Sequence, residues 1–256
     1  MTSNINPLAK HGYQDSTDAY ERGRPDFPSE AVACLVEHCK IGQGSKVIDI
    51  GAGTGKFTRL LVPTKATLRA IEPVEGMRKK FAALLPDVEV LEGSAEFMPV
   101  HEGWADAIVA AQAFHWFDGP SALQECHRLL KVDGMLGMIW NSRDESVDWV
   151  AELTRIIDVH EHNAPRYKTM EWEKAFRSTK LFQPLSKKSF THAHKGTVQT
   201  VVDRVASISF IGALEDKTRM EVLAQVRSLV ENHPSTKGLE NIEMPYRTDV
   251  YWCQRA

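Results

Sequence analysis

The stretch Val47-Ile48-Asp49-Ile50-Gly51-Ala52-Gly53-Thr54-Gly55 decides how this chain is read. It runs an apolar strand into three alternating glycines, and a helical pattern follows at once. The spacing carries the information. Gly51 permits a tight turn, Gly53 lets a ligand approach bare main chain, and Gly55 allows close passage at the start of the helix. Glu72 lies 23 residues past Asp49, at the end of the next predicted strand. A carboxylate there can accept hydrogen bonds from both hydroxyls of a ribose, a device shared by dinucleotide and adenosyl sites. A dinucleotide loop reads GxGxxG, with its third glycine one residue later; here that residue is Lys56. A turn that merely reverses the chain, with Glu72 capping a helix before Pro73, is the bland alternative. The strand-turn-helix context weighs against it.

Outward from this loop, apolar runs alternate with amphipathic stretches, the signature of strand-helix-strand units around a parallel sheet. Strands are predicted at 46–50, 67–72, 88–91, 105–111 and 135–140. Helices are predicted from Gly55 to Leu61, after Pro73, and over 122–130. In the helix after Pro73, Met77, Phe81, Ala82 and Leu85 recur at helical spacing, and Pro86-Asp87 stops it. Beyond Trp140 the rhythm changes. A helix is expected over 147–162, strands at 186–194 and 242–253, and helices at 198–207 and 217–232. The fold class is therefore α/β, a doubly wound Rossmann-like sheet. The division expected is a single domain over 1–256, with N-terminal helices (1–44), a ligand-binding core (45–140), a helical substrate-covering insertion (141–185) and the C-terminal part of the sheet (186–256).

Composition bounds the function. The 256 residues are 43% hydrophobic and 25% charged, which excludes collagen-like, low-complexity and wholly disordered chains. Thirty-one Lys and Arg against 34 Asp and Glu give a net charge of −3, with no like-charge block to track phosphates, so no nucleic-acid partner is expected. No apolar run approaches the roughly 18 residues of a membrane span, and the first residues show no secretory signal. A cytoplasmic location is expected. Cys34, Cys39, Cys126 and Cys253 show no CxxC spacing, so reduced, buried thiols are expected, with neither disulfide nor zinc. The pairs His160/His162 and His192/His194 lack a third ligand at sensible spacing, and the first pair falls in a predicted helix, where i and i+2 point apart. No metal is expected.

At Asp49 and Gly51 to Gly55 the chain resembles the class I S-adenosylmethionine-dependent methyltransferases, whose hallmark is an acidic residue and GxGxG after the first strand. Glu72-Pro73 with Met77 is similar to their ribose and adenine-packing segment, and Gly93-Ser94-Ala95-Glu96 to their adenine loop. The family often carries Asp where Ser94 stands, which leaves the adenine contact to Ser94, Glu96 or backbone. The likeness covers about 45–140. The segments Tyr20 to Pro28 and Gln112-Ala113-Phe114-His115-Trp116-Phe117 are similar to a narrower group, the type 11 and trans-aconitate methyltransferase-like enzymes that act on small molecules. The resemblance implies S-adenosyl-L-methionine as cofactor, sheet order 3-2-1-4-5-7-6 with the last strand antiparallel, and methyl transfer to a small organic molecule; a monomer or homodimer is expected.

Candidate roles follow. Gly51, Ala52, Gly53, Thr54, Gly55, Glu72, Pro73, Met77, Ser94, Ala95, Glu96 and Gln112 are expected to line a cofactor trough at the carboxyl ends of the strands. Asp49 is placed to attract the methionine ammonium, or to accept hydrogen bonds within the loop. By the resemblance, Tyr20, Arg22 and Arg24 belong to a segment folding over the cofactor, where a guanidinium can hold a carboxylate. His115 is the candidate base or substrate orienter, or else a packed core histidine. Trp116 and Trp140 face the sulfonium or wall the acceptor pocket, or else pack in the core; Arg143 is a further substrate-binding candidate. A carboxylate or hydroxyl oxygen is the expected acceptor, with sulfur or nitrogen the nearest competitor. An NAD-dependent oxidoreductase and a catalytically idle cofactor-binding module are the readings from other classes.

Overall fold

The computed structural model describes residues 23–162 and 164–256, so the expectations placed on Tyr20 and Arg22 lie outside the described residues. Strands β1 (Lys46–Ile50), β2 (Thr67–Ile71), β3 (Glu89–Leu91), β4 (Ala105–Ala111), β5 (Leu130–Arg143), β6 (Ser186–Gly196) and β7 (Ile242–Gln254) form one sheet. Its order is β3-β2-β1-β4-β5-β7-β6, with β1 to β5 parallel and β7 antiparallel to both its neighbours, as the family resemblance implies.

The central strands read as unbroken apolar runs because helices cover both faces. Alternate side chains go to opposite sides. Val47, Ala107, Val109 and Ile139 pack under helix α1 (Ser29–His38) and the short α2 (Thr58–Leu61). Ile48, Ile50, Ile108 and Ala110 pack under α4 (Gly119–Leu129), whose Ala122, Leu123, Cys126 and Leu129 form one stripe at helical spacing. Each such fully buried Leu, Ile or Val side chain contributes about 1.5–3 kcal/mol relative to exposure. Helix α3 (Glu75–Leu84) joins β2 to β3, burying Met77 and Phe81.

After β5 come α5 (Asp148–Asp158), two 3₁₀ turns at Tyr167–Thr169 and Glu171–Glu173, and α6 (Lys174–Ser178). Between β6 and β7 lie α7 (Val198–Ala206), α8 (Ser209–Gly212) and α9 (Asp216–Asn232). Helices α5, α7 and α9 build a second apolar cluster against Ile242, Met244 and Tyr246 at the start of β7. No helix of the described residues is long and apolar enough to cross a membrane.

Three boundaries differ from expectation for identifiable reasons. The helix after the glycine loop starts at Thr58, not Gly55, because Gly55 has a φ of +88°, outside the helical region. Strand β5 begins at Leu130, which pairs with Ala105 before a register shift; the predicted turn at Asp133 survives as a positive φ of +64° inside the strand. Helix α5 stops at Asp158, so His160 and His162 sit in the following turns and the helical argument against that pair does not apply. Among the described residues no cluster of three His, Cys, Asp or Glu side chains could hold a metal ion. All four cysteines are free and buried.

Candidate active site

The parallel strands end on one edge of the sheet, and β1 and β4 leave it toward opposite sides. That divergence opens a crevice where open α/β sheets bind ligands. The glycine loop lies in it. The Gly51 and Ala52 N–H groups donate to the Ile71 carbonyl, folding the loop over the end of β2. Gly51, Gly53 and Gly55 all have positive φ, +65°, +58° and +88°. A Cβ on Gly51 would lie 2.8 Å from the Ala113 Cβ, and one on Gly55 would lie 2.7 Å from Leu85 and 2.9 Å from Phe81. Those two glycines are thus required by the loop after β4 and by the flank of α3. Gly55→Ala is expected to destabilise the fold by about 2 kcal/mol or more, combining left-handed strain with overpacking, and to lower Tm by at least about 4 °C in a calorimetric scan. An unchanged Tm would remove the packing account.

Glu72 braces the loop. It is buried, and its carboxylate accepts from the Gly53 N–H and the Val74 N–H, both at 2.8 Å. Burial raises its pKa, while those two amides and the nearby Arg78 guanidinium oppose the rise. The bracing bonds to backbone are those of the bland alternative, and each carboxylate oxygen keeps a lone pair beyond the one it gives to backbone. Asp49 is also buried. Thr58 donates to its Oδ2 at 2.6 Å, but its Oδ1 has no partner. Burial, reinforced by the charge of Glu72, pushes its pKa up to about 7.

Asp49, Gly51, Ala52, Gln112 and Arg24 come together around one narrow cleft of about 30 Å³. Thr54 is buried in the loop. The expected adenine-side residues divide: Met77 and Ala95 are buried in the core, Pro73 is half-buried ahead of α3, Ser94 closes a tight backbone turn with Phe97, and Glu96 accepts from the Asp118 N–H at the start of α4.

A second cavity of about 130 Å³ adjoins the cleft, sharing Arg24 and Gln112 with it. His115, Trp116, Arg143 and Arg204 line it, and Pro165 to Lys168 of the insertion form a wall. Gln112 holds a φ of +55°, rare for a residue with a side chain, and donates from Nε2 to the Asn141 carbonyl at 3.0 Å. Such strain is kept where surrounding structure enforces it, often at functional sites. Asn141 in turn donates to the Asp26 carbonyl and accepts from the Thr248 hydroxyl, tying the N-terminal segment to the ends of β5 and β7.

The cavity is cationic. Arg166 and Lys168 are neutralised by Asp158 and Glu161. Arg143 and Arg204 instead bond to hydroxyls, those of Thr154, Tyr246 and Ser207, and neither forms an ion pair among the described residues. Burial lowers the pKa of both, Arg204 to about 10 with help from Arg24 and Arg143, yet both stay charged near neutrality. Arg24 donates to the Ser207 hydroxyl and carbonyl.

Two sequence expectations need correction. Trp140 walls neither the pocket nor a sulfonium site: it is fully buried, stacked on Tyr167 at 4.8 Å and packed on Trp172 at 4.6 Å. Its position in β5 puts it on the inner face with Met138, under the insertion. As a base, His115 is poorly placed. Its Nδ1 accepts from the Trp140 indole N–H at 3.1 Å, and burial beside Arg166 and Arg24 pushes its pKa down to about 3. The orienting role is the one this geometry permits. Arg204, Asn141 and Tyr167 were not anticipated. For Arg204 a signal existed: with Val201, Val205 and Ile208 it completes an i, i+3, i+4, i+7 stripe, a charge on an apolar helix face.

A seven-stranded α/β frame with a glycine loop and an acidic residue at adjacent strand ends defines an enzyme class built to hold an adenosyl group. Comparison with known proteins narrows it. The family model described as a methyltransferase domain matches residues 48–138. An uncharacterized methyltransferase of Mycobacterium tuberculosis is 34% identical over 244 residues, covering 95% of this chain and 94% of the relative. An uncharacterized methyltransferase-like protein of Schizosaccharomyces pombe is 30% identical, covering 92% of each. A SAM-dependent methyltransferase of Thermotoga maritima shares the fold with a TM-score of 0.55 at 21% identity, over 96% of this chain and 99% of that one. The chain belongs to the class I S-adenosylmethionine-dependent methyltransferases. The oxidoreductase reading falls with that result.

Proposed function

We propose that the chain transfers a methyl group from S-adenosylmethionine to an oxygen, carboxylate or hydroxyl, of a small acidic molecule. The observation that carries this reading is the pair of guanidiniums, Arg143 and Arg204, facing a cavity with only hydroxyl partners. Asp158 and Glu145 act on Arg143 without pairing with it, and among the described residues Arg204 has no carboxylate against it at all; burying such a charge is costly, and an anionic ligand offsets the cost. An amine acceptor carrying positive charge would add to the repulsion, and an acidic one relieves it.

The cofactor side rests on Asp49 and Glu72. Asp49 lines the cleft, and its buried, unpartnered Oδ1 suits the methionine ammonium; the spare lone pairs of Glu72 suit the ribose hydroxyls. Arg24, Pro25 and Phe27 of the N-terminal segment line the same cleft and would lie against the cofactor. When bound, the sulfonium supplies an electrophilic methyl that is displaced in line. The protein then has mainly to orient, and orientation alone is worth up to about 7–11 kcal/mol. Gln112 and Arg24, common to both spaces, hold the junction; His115 and Trp116 stand beside it. A carboxylate acceptor needs no proton removed. The insertion expected over 141–185 fits the role of a cover over the acceptor, through Pro165 to Lys168.

Screening small carboxylic acids and phenols with isotopically labelled cofactor tests this reading: label in an acidic product supports it, and label only in amines or thiols refutes it. A pH effect follows from Asp49. Its pKa is raised on folding, so the folded protein binds its proton more tightly, and this group's contribution to stability falls as pH rises from about 4 to 7. Affinity for the cationic ammonium runs the other way, growing up to about tenfold per unit toward pH 7 and levelling above it. Titration calorimetry at pH 6 in buffers of different ionisation enthalpy is expected to show proton release on cofactor binding; no release would detach Asp49 from the ammonium.

A further inference from the structure

We propose that Trp140 is a positioning residue: its indole N–H holds His115 in the single tautomer that presents an Nε2–H donor to the acceptor cavity. The site thereby favours acceptors whose reacting oxygen arrives already ionised. The proposal rests on the oxygen-methylation reading for its catalytic half and on geometry alone for its structural half.

The neutral imidazole has one donor nitrogen and one acceptor nitrogen. An indole nitrogen only donates, so the bond from Trp140 Nε1 requires the His115 Nδ1 lone pair and leaves the proton on Nε2. Trp140 cannot turn away. Its ring is fully buried, stacked on Tyr167, tilted against Trp172 and met edge-on by Tyr251. Tyr167 is fixed in turn by its hydroxyl, which donates to the buried Asp249. No described residue bonds Nε2, and the His115 ring lines the cavity. The charged groups acting on the ring, Arg24 from the N-terminal segment and Arg166 from the insertion, both disfavour imidazolium.

A ring locked this way cannot accept a proton from an acceptor hydroxyl or thiol without breaking the indole bond. It can donate to an oxygen already ionised, beside the guanidiniums that attract one. His115 is thus a selector of acceptor state, and Trp140, which does not touch the cavity, sets the selection.

The test uses the full chain with ¹⁵N-labelled histidine. Two-bond nitrogen–proton correlation is expected to show His115 wholly as the Nε2–H tautomer, unprotonated down to pH 5. Trp140→Phe, which keeps the stack and removes the donor, is expected to mix the tautomers and raise the titration midpoint. In turnover it is expected to lower kcat about tenfold or more with cofactor affinity unchanged. Should Trp140→Phe fail to fold, the wild-type tautomer decides, together with two variants at His115. Gln at that position retains an N–H donor and is expected to preserve more activity than Leu. An Nδ1–H or mixed tautomer in the wild type overturns the proposal, as does equal loss in His115→Gln and His115→Leu. The spectra need no substrate. A correct tautomer with no turnover on any acid would therefore refute the function and leave the positioning intact.

Discussion

Arg204→Met is expected to cut kcat/KM for an acidic acceptor by about 10- to 150-fold while leaving Tm unchanged or higher. The two effects have opposite signs because one feature causes both. Arg204 is held at 7% exposure with hydroxyl partners and no carboxylate, so the folded state carries its desolvation uncompensated. Methionine fills similar space without the charge, and what it gives up, long bonds to the Tyr246 and Ser207 hydroxyls at 3.2 and 3.5 Å, offsets little of that desolvation. An anionic ligand instead loses a charge-assisted hydrogen bond, about 1.5–3 kcal/mol, which sets the range above. Cofactor affinity stays as it was. A fall in Tm of several degrees with unchanged kcat/KM would make Arg204 a structural residue and remove the main support for an acidic acceptor.

Glu72→Ala is expected to weaken cofactor binding by about 100- to 1000-fold, the larger of the two binding losses. Two injuries add. The Gly53 and Val74 N–H groups lose their acceptor, at about 1–3 kcal/mol each if left unpaired, and the loop that must present bare backbone loses its brace. The ribose hydroxyls lose theirs as well. Unlike a residue serving ligand alone, Glu72 is therefore expected to cost stability too, with a lowered Tm before any cofactor is added. Titration calorimetry reads the affinity and scanning calorimetry the stability. Unaltered affinity would end the ribose assignment, and unaltered Tm would end the bracing one.

Much of this was legible from one loop. Five apolar runs separated by helical stretches determine a parallel sheet, because a strand covered on both faces must be apolar throughout. The acidic residues flanking the glycines were readable for the same reason: spacing along strand and loop is local. What escaped the sequence was side-chain direction and long-range assembly. Trp140 follows a strand pattern in which alternate residues face opposite sides, but only the insertion, folded back some 30 residues later, makes its side a core. Arg204 belongs to a helix that reaches the cavity through the packing of α5, α7 and α9, which no periodicity reports. Gly51 was read as a turn and Gly55 as a close passage, but the neighbours that require them, Ala113 for the one and Leu85 and Phe81 for the other, lie far along the chain. The orphan oxygen of Asp49 is a property of neighbours absent from its own segment.

The reversed direction of β7 has a practical side. Running against β5, it delivers Tyr246 and Thr248 alongside Arg143 and Asn141, at the working end. Its far end travels the whole depth of the sheet, to where the Arg255 amide meets the Gly134 carbonyl. Anything attached behind Ala256, whether an affinity handle, a fluorophore or a solid support, therefore hangs from the pole opposite the chemistry, and surface immobilisation through that pole leaves reactants free to arrive.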